Sequence, residues 1–216
     1  MSARERILAR IRERQGKPDE IDAAELAVVR SHLAAHPRSP GPRDAWDVHV
    51  RFRERALSLA STIDEAAALS DVPVIAAAYL RGRALPARAV CWRELGDLDW
   101  RAAGLEVEVR PAGGDDLVGI TGVYCGISET GTLMTLSGPD SPPSVSLLPE
   151  THIAVLQSAR IVRSMEDAWA LARAEVDGVP RAVSFISGPS RTADIEQTLT
   201  LGAHGPYRVH VIIVGG

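Results

Sequence analysis

Cysteine is nearly absent from this 216-residue chain: Cys91 and Cys125 are the only two, and neither belongs to a C-x-x-C or a Cys/His cluster. That scarcity excludes a thiolate cage for zinc or for an iron-sulfur cluster and predicts two reduced thiols on buried strands. A positive charge excess is missing too. The 24 basic and 28 acidic side chains leave a formal charge of -4, which excludes the electrostatic footprint that binds nucleic-acid phosphates. Lysine is reduced to Lys17, with arginine supplying every other basic side chain, a composition bias without functional content. No apolar run reaches 18 residues, and the opening stretch MSARERILARIRERQ has no apolar h-region or lipidation signal. The expectation is a cytoplasmic protein with no membrane span. Walker A, G-x-G-x-x-G, G-x-S-x-G and H-E-x-x-H motifs are all absent.

What is present is the balance of a well-cored globular domain, 45% apolar and 24% charged. Ser2 and Glu5 have capping-box spacing ahead of a narrow stripe of Ile7, Leu8 and Ile11, and a second helical pattern covers Ala23 to Ala35. Pro37, Pro40, Gly41 and Pro42 then break the pattern. Residues 1–42 are therefore expected to be an N-terminal helical arm with a proline-rich linker, and 43–216 a single α/β domain. Trp46, Val50, Phe52 and Leu57 fall near helical spacing, Leu57 to Ile63 suits a strand, and Asp71 with Pro73 reads as the N-cap and first turn of a helix. A helix is also expected over Met165 to Glu175. Short strand-like runs follow at Arg88–Trp92, Leu105–Val109, Val118–Thr121, Leu133–Leu136, Ile153–Leu156, Val183–Ile186 and Val209–Val214. Several are continuously apolar, as strands covered on both faces are, which predicts a mainly parallel sheet flanked by helices.

Three glycine-rich junctions carry the candidate chemistry, because function on open α/β sheets sits in loops at strand ends. In Gly126-Ile127-Ser128-Glu129-Thr130-Gly131-Thr132 the carboxylate of Glu129 can be a nucleophile, a general base or an acceptor that pins a turn. In Ser187-Gly188-Pro189-Ser190-Arg191-Thr192-Ala193-Asp194 a strand and turn lead into a helical stretch, an arrangement that serves either anion binding or ordinary capping. The third junction, Gly202-Ala203-His204-Gly205-Pro206, places a histidine between glycines, exposed enough to titrate or to donate to a ligand. His152 reads as a structural histidine at a strand start, and His210 lies inside the last strand.

These residues in this order resemble the LUD-domain family of lactate utilisation C proteins. The likeness is carried by Gly119-Ile120-Thr121-Gly122, Ile127 to Thr132, Leu148-Pro149 with His152-Ile153, Ser187 to Glu196, and Gly202 with His204-Gly205-Pro206. It runs from about Leu57 to Val214 and leaves out the N-terminal arm. The resemblance implies a Rossmann-like fold of the NagB/RpiA/CoA-transferase kind. It also implies a subunit of a bacterial system oxidising L-lactate to pyruvate, with iron-sulfur clusters only in partner subunits and no cofactor in this chain. Family members tend to carry an arginine between the Glu-Thr-Gly-Thr turn and the Leu-Pro step. This chain has Gly138-Pro139-Asp140-Ser141-Pro142-Pro143-Ser144 there, so any such role is either missing or moved to Arg191.

The leading expectation is a small anionic metabolite held by Thr130, Gly131, Thr132, Ser187, Gly188, Ser190, Arg191, Thr192, Asp194, His204 and Gly205, with Glu129 as the catalytic candidate. A stand-alone acyl-transfer or sugar-phosphate enzyme using Glu129, and an assembly scaffold for iron-sulfur subunits, are the alternatives. A homo-oligomer is compatible with either.

Overall fold

The computed structural model describes residues 2–17, 22–42, 45–192 and 200–215. It divides into two units, Met1–Arg43 and Asp44–Gly216. In the first, α1 (Ala3–Gln15) is opened by Ser2, whose side chain accepts from Glu5 N–H while the Glu5 carboxylate accepts from Ser2 N–H, the capping box expected from the spacing. Helix α2 (Ala23–Ala35) starts at Asp22, and none of the side chains of either helix is buried.

The second unit begins with α3 (Val48–Ser58), capped by the Asp47 carboxylate. The helix then reverses through Ala60, at φ 65°, into β1 (Thr62–Ala66). The strand expected from Leu57 is thus corrected: Leu57 belongs to the last turn of α3, and its exposed side chain makes the helix end look like a strand start. Helix α4 (Val72–Gly82) follows a short 3-10 turn, with Asp71 at the N-cap position and Pro73 in the first turn as expected, although the Asp71 carboxylate accepts from Ala68 N–H rather than from the α4 backbone. The remaining elements are β2 (Arg88–Cys91), β3 (Glu106–Val109), β4 (Val118–Gly122), β5 (Cys125–Ile127), β6 (Thr132–Leu136), α5 (Ser144–Leu147), β7 (Thr151–Gln157), β8 (Ile161–Val162), α6 (Met165–Glu175), β9 (Val183–Ile186), β10 (Arg191–Thr192), β11 (Thr200–Leu201) and β12 (Arg208–Val214).

The main sheet has the order β1-β12-β7-β4-β2-β3 and is parallel throughout. A second sheet, β8-β5-β6-β9, contains both parallel and antiparallel pairs. On one face of the main sheet Ile120, Ile153, Val155, Ile212 and Val214 pack against Val72, Ala76 and Leu80 of α4. On the other, Ala154, Leu156, Val211 and Ile213 meet Phe52 and Ala56 of α3 together with Leu133 and Ile186 of the second sheet. The far side of that sheet is covered by Ala168 and Ala172 of α6, against Cys125, Ile127 and Met134. This layering explains the pattern of the sequence: Ile153–Leu156 of β7 and Val211–Val214 of β12 are apolar without alternation because both faces of these strands are covered. In β6, Leu133 and Met134 point to opposite layers, as the two-residue period of a strand requires. Both cysteines are buried and free, as expected.

Strand order reverses once in this sheet. From β2 the chain steps outward to the edge strand β3, then returns to β4 on the other side of β2 and continues through β7 to β12.

Candidate functional site

The turn between β5 and β6 is closed by Gly131 N–H donating to the Ile127 carbonyl at 2.9 Å. Gly131 sits at φ 69°, and a Cβ there would lie 2.4 Å from the backbone nitrogen of Ala56, so only glycine lets the turn rest against α3. The turn is pinned further by Ser128 N–H to the Val162 carbonyl (2.8 Å) and Glu129 N–H to the Arg163 carbonyl (3.0 Å). Backbone bonds therefore do the pinning. Among the described residues no side-chain hydrogen bond or ion pair engages the Glu129 carboxylate.

A chain of hydroxyls leads out of this turn. Thr130 Oγ1 and Thr132 Oγ1 are 2.8 Å apart, and Thr132 Oγ1 is 2.7 Å from Ser187 Oγ, which joins the first glycine-rich junction to the second. Gly188 adopts φ 81° with its α-carbon so close to Leu59 that a Cβ would lie 2.3 Å from the Leu59 carbonyl oxygen. Arg191 Nη2 donates to that same carbonyl at 3.2 Å. The second junction is joined to the third through Ser190: its N–H donates to the Pro206 carbonyl (2.9 Å) and its carbonyl accepts from Gly202 N–H (3.0 Å). Ser190 Oγ accepts a long bond from His204 N–H at 3.4 Å. His204 is exposed.

The structure thus brings together Glu129, Thr130, Gly131, Thr132, Ser187, Gly188, Ser190, Arg191, His204 and Gly205. They lie beside the amino-terminal ends of β1 and β12, since Leu59 precedes β1 and Pro206 precedes β12. Arg191 and Thr192 form β10, paired antiparallel with β11, so Thr192 lies in a strand and does not open the helical stretch expected over Thr192-Ala193-Asp194. Ala193, Asp194 and the rest of that expected helical stretch lie outside the described residues.

Sequence reasoning missed a layer beneath the turn. Trp46 Nε1–H donates to Ser128 Oγ at 3.1 Å, and Ser128 is fully buried. The Arg163 guanidinium lies 3.9 Å from the Trp46 ring centroid and that of Arg51 5.4 Å from it, both within cation–π range. The buried Nε atoms of Arg51 and Arg55 have no hydrogen-bond partner among the described residues. A tryptophan near helical spacing signals core, which is why the local sequence points to packing rather than to this contact.

The two interior histidines belong elsewhere. His152 Nε2 is 2.8 Å from Thr121 Oγ1, and complete burial pushes its pKa down to about 4. His210 stacks on Tyr79 with ring centroids 3.9 Å apart and pairs through Nδ1 with Thr62 Oγ1 at 2.9 Å. Burial also lowers its pKa to about 4, with Asp64 pulling the other way. Among the described residues no group of three or more His, Cys, Asp or Glu side chains can hold a metal ion, and no helix is long and apolar enough to cross a membrane.

The family model of the LUD domain matches residues 81–214, more than half the chain. The chain belongs to the LUD domain family. Curated relatives of this LUD domain include lactate utilization protein C of Bacillus subtilis, 40% identical over 100 residues that make up 45% of this chain and 42% of the relative. Lactate utilization protein C of Bacillus licheniformis is 34% identical over 54% of this chain and 49% of its own length. An uncharacterised protein of Neisseria meningitidis serogroup B is 38% identical over 44% of this chain and 41% of its own. The chain spans about half the length of the curated relatives it matches. Its fold is similar to the crystal structure of a DUF162 family protein from Deinococcus radiodurans, with a TM-score of 0.59 over 78% of this chain and 96% of that one, at 24% identity.

Proposed function

We propose that this LUD domain serves lactate utilisation as a subunit without iron-sulfur clusters, and that it binds a small carboxylate between the Glu129 turn, the Ser187–Arg191 segment and the His204 loop. The relatives named lactate utilization protein C support the metabolic role. The observation that carries the binding mode is the hydroxyl chain from Thr130 through Thr132 to Ser187, beside Arg191. Three hydroxyls hold three protons, and two are used between the oxygens. One hydroxyl proton is left to donate outward, from Ser187 or Thr130 when the bonds run in one direction along the chain, strengthened by the bond behind it. A 2-hydroxy or 2-oxo carboxylate accepts that proton together with a charge-assisted bond from the Arg191 guanidinium. Glu129, in the same turn and without an ion-pair partner among the described residues, is the group to accept a proton from the substrate hydroxyl. In this reading the two electrons of lactate oxidation, and the proton from the C2–H bond, pass to the iron-sulfur partner subunits.

The test is calorimetric titration of the full chain with L-lactate and pyruvate, repeated with Arg191→Ala and Ser187→Ala. Saturable binding weakened about tenfold or more by each variant is expected, the loss that follows removal of a charge-assisted hydrogen bond. A flat titration with both acids, or equal affinity in wild type and Arg191→Ala, refutes the site.

A further inference from the structure

The carboxyl-terminal ends of the parallel strands carry a cavity that the site above does not use. It is about 430 Å³ and is walled by Trp92 just after β2, Val123 and Tyr124 just after β4, and Gln157 at the end of β7, with Glu94 and Arg160 at its rim. Those strands flank the place where the strand order reverses, between β2 and β4. Open parallel sheets take their ligands at that switch point, because the connections leave it in opposite directions and open a crevice there. The volume is within the range of pockets that enclose small organic ligands.

The walls are fixed before any ligand arrives. Trp92 is 5% exposed, and its Nε1–H is taken by the Pro142 carbonyl at 3.0 Å. Arg160 is held by Glu175 through both Nη atoms (2.7 and 2.8 Å), and its Nε donates to the Tyr124 carbonyl at 2.9 Å. Its guanidinium also covers the Tyr124 ring at 4.6 Å. The Arg160 charge is therefore neutralised within the protein. Among the described residues no cation pairs with Glu94. Its carboxyl end packs on Gly122 so tightly that a Cβ there would lie 1.6 Å from Glu94 Oε1. That local burial raises its pKa, against the opposing pull of the Gly122 N–H, although the side chain as a whole is exposed. Asp140 adds a second carboxylate to the lining. Aromatic and aliphatic walls with carboxylate acceptors and no uncompensated cation select against anions and in favour of a flat, uncharged ring that offers N–H donors.

We infer that this cavity binds a planar nitrogen heterocycle with two adjacent N–H donors, of the guanine or pterin type, its walls formed by Trp92, Val123 and Tyr124 and its donor edge held by Glu94. A carboxylate accepts two parallel N–H bonds from such an edge, an arrangement that adenine and uracil do not offer. The assignment stands apart from the carboxylate site at the opposite end of the strands.

The experiment is calorimetric titration of the full chain with guanosine and with 6,7-dimethylpterin, alongside inosine, adenosine and uridine. Saturable binding of guanosine or the pterin is expected, with inosine about tenfold weaker or worse for lack of the second donor. Glu94→Gln is expected to weaken guanosine binding by a similar factor. Gly122→Ala is expected to do the same by displacing the Glu94 carboxylate, the far end of a flexible side chain, and the thermal midpoint of each variant is recorded to show that it folds. Arg191→Ala and saturating L-lactate leave guanosine affinity unchanged, so failure here is distinguishable from failure of the proposed carboxylate site. No saturable binding of guanosine or the pterin at millimolar concentration overturns the inference. So does equal binding of adenosine or uridine, or undiminished guanosine binding by folded Glu94→Gln.

Discussion

Replacing Gly131 with alanine isolates the contact on which the hydroxyl cluster rests. Two costs add: the left-handed backbone at φ 69°, and a Cβ 2.4 Å from the Ala56 nitrogen, an atom of the α3 backbone rather than a movable side-chain end. The first is about 1–2 kcal/mol for a non-glycine residue. Reduced freedom of the unfolded chain offsets about 0.4–1 kcal/mol of it. The second is an overpacking cost of about 1–3 kcal/mol. The sum is roughly 1–5 kcal/mol, or about 3–15 °C in melting temperature for a chain of this length. Gly178 supplies the control, because it sits at φ 80° with nothing within 4 Å of its would-be Cβ. Gly178→Ala therefore carries the backbone cost alone. Urea denaturation of both variants, with midpoints and slopes compared, gives the close-approach contribution by difference. If Gly131→Ala is no more destabilising than Gly178→Ala, the tight seating of the turn on α3 is wrong, and with it the registry of Thr130 and Thr132 against Ser187.

Acid stability follows from the two interior histidines, each held at about 4 by burial. The unfolded chain takes up their protons near pH 6.5 and the folded chain only near 4, so stability is constant above about pH 7 and falls as pH drops between those values. The loss amounts to roughly 3 kcal/mol per histidine. Urea midpoints that do not move between pH 7 and pH 5 contradict this burial. Phe52→Ala removes a side chain with 0% exposure between α3 and the two sheets, and a loss of about 3–5 kcal/mol is expected by chemical denaturation; a loss under 1 kcal/mol shows that the two layers are not packed through it. Glu175→Gln removes half of a bidentate pair between exposed Glu175 and Arg160, so any loss of stability should be small and should shrink in high salt. A salt-independent cost points instead to the lost Tyr124 hydroxyl bond, 2.8 Å in length.

The elements most legible in the sequence are those whose local and tertiary demands agree. Strands β7 and β12 carry the unbroken apolar runs Ile153–Leu156 and Val211–Val214 because layers cover both faces, and α1 announces itself through Ser2 and Glu5. Leu57 to Ile63 misleads because the reversal at Ala60 uses a left-handed alanine, a conformation for which the sequence carries no sign. Asp71 marks the start of α4 correctly by position, but its carboxylate is satisfied by Ala68 N–H of the short turn before it rather than by the helix. The candidate site was legible as three motifs and illegible as one place. Thr132 and Ser187 stand 55 residues apart, and Arg191 reaches a carbonyl 132 residues away. Only the folded chain brings them together.

The glycines of the Gly119-Ile120-Thr121-Gly122 run connect these observations. Glycine weakens a strand interior, so its presence twice in the buried strand β4 requires something that a side chain would obstruct. At Gly119 a Cβ would lie 1.9 Å from the Val145 carbonyl oxygen, so α5 can lie against the sheet only there. At Gly122 the obstructed group is the Glu94 carboxylate at the switch point. The same stretch of chain then runs through Tyr124 into β5 and reaches the Glu129 turn beside α3, so one continuous segment serves both ends of the molecule. Cys125, Gly126 and Ile127 in that connection are buried between Phe52, Leu156 and α6. A packed segment of this kind cannot slide without opening a cavity, which makes it a rigid spacer rather than a lever. Occupancy at the carboxyl ends of β2, β4 and β7 is therefore expected to leave affinity at the hydroxyl chain unchanged: titrations of L-lactate with and without saturating guanosine should superimpose. A coupling of tenfold or more would mean that β5 has a second seating.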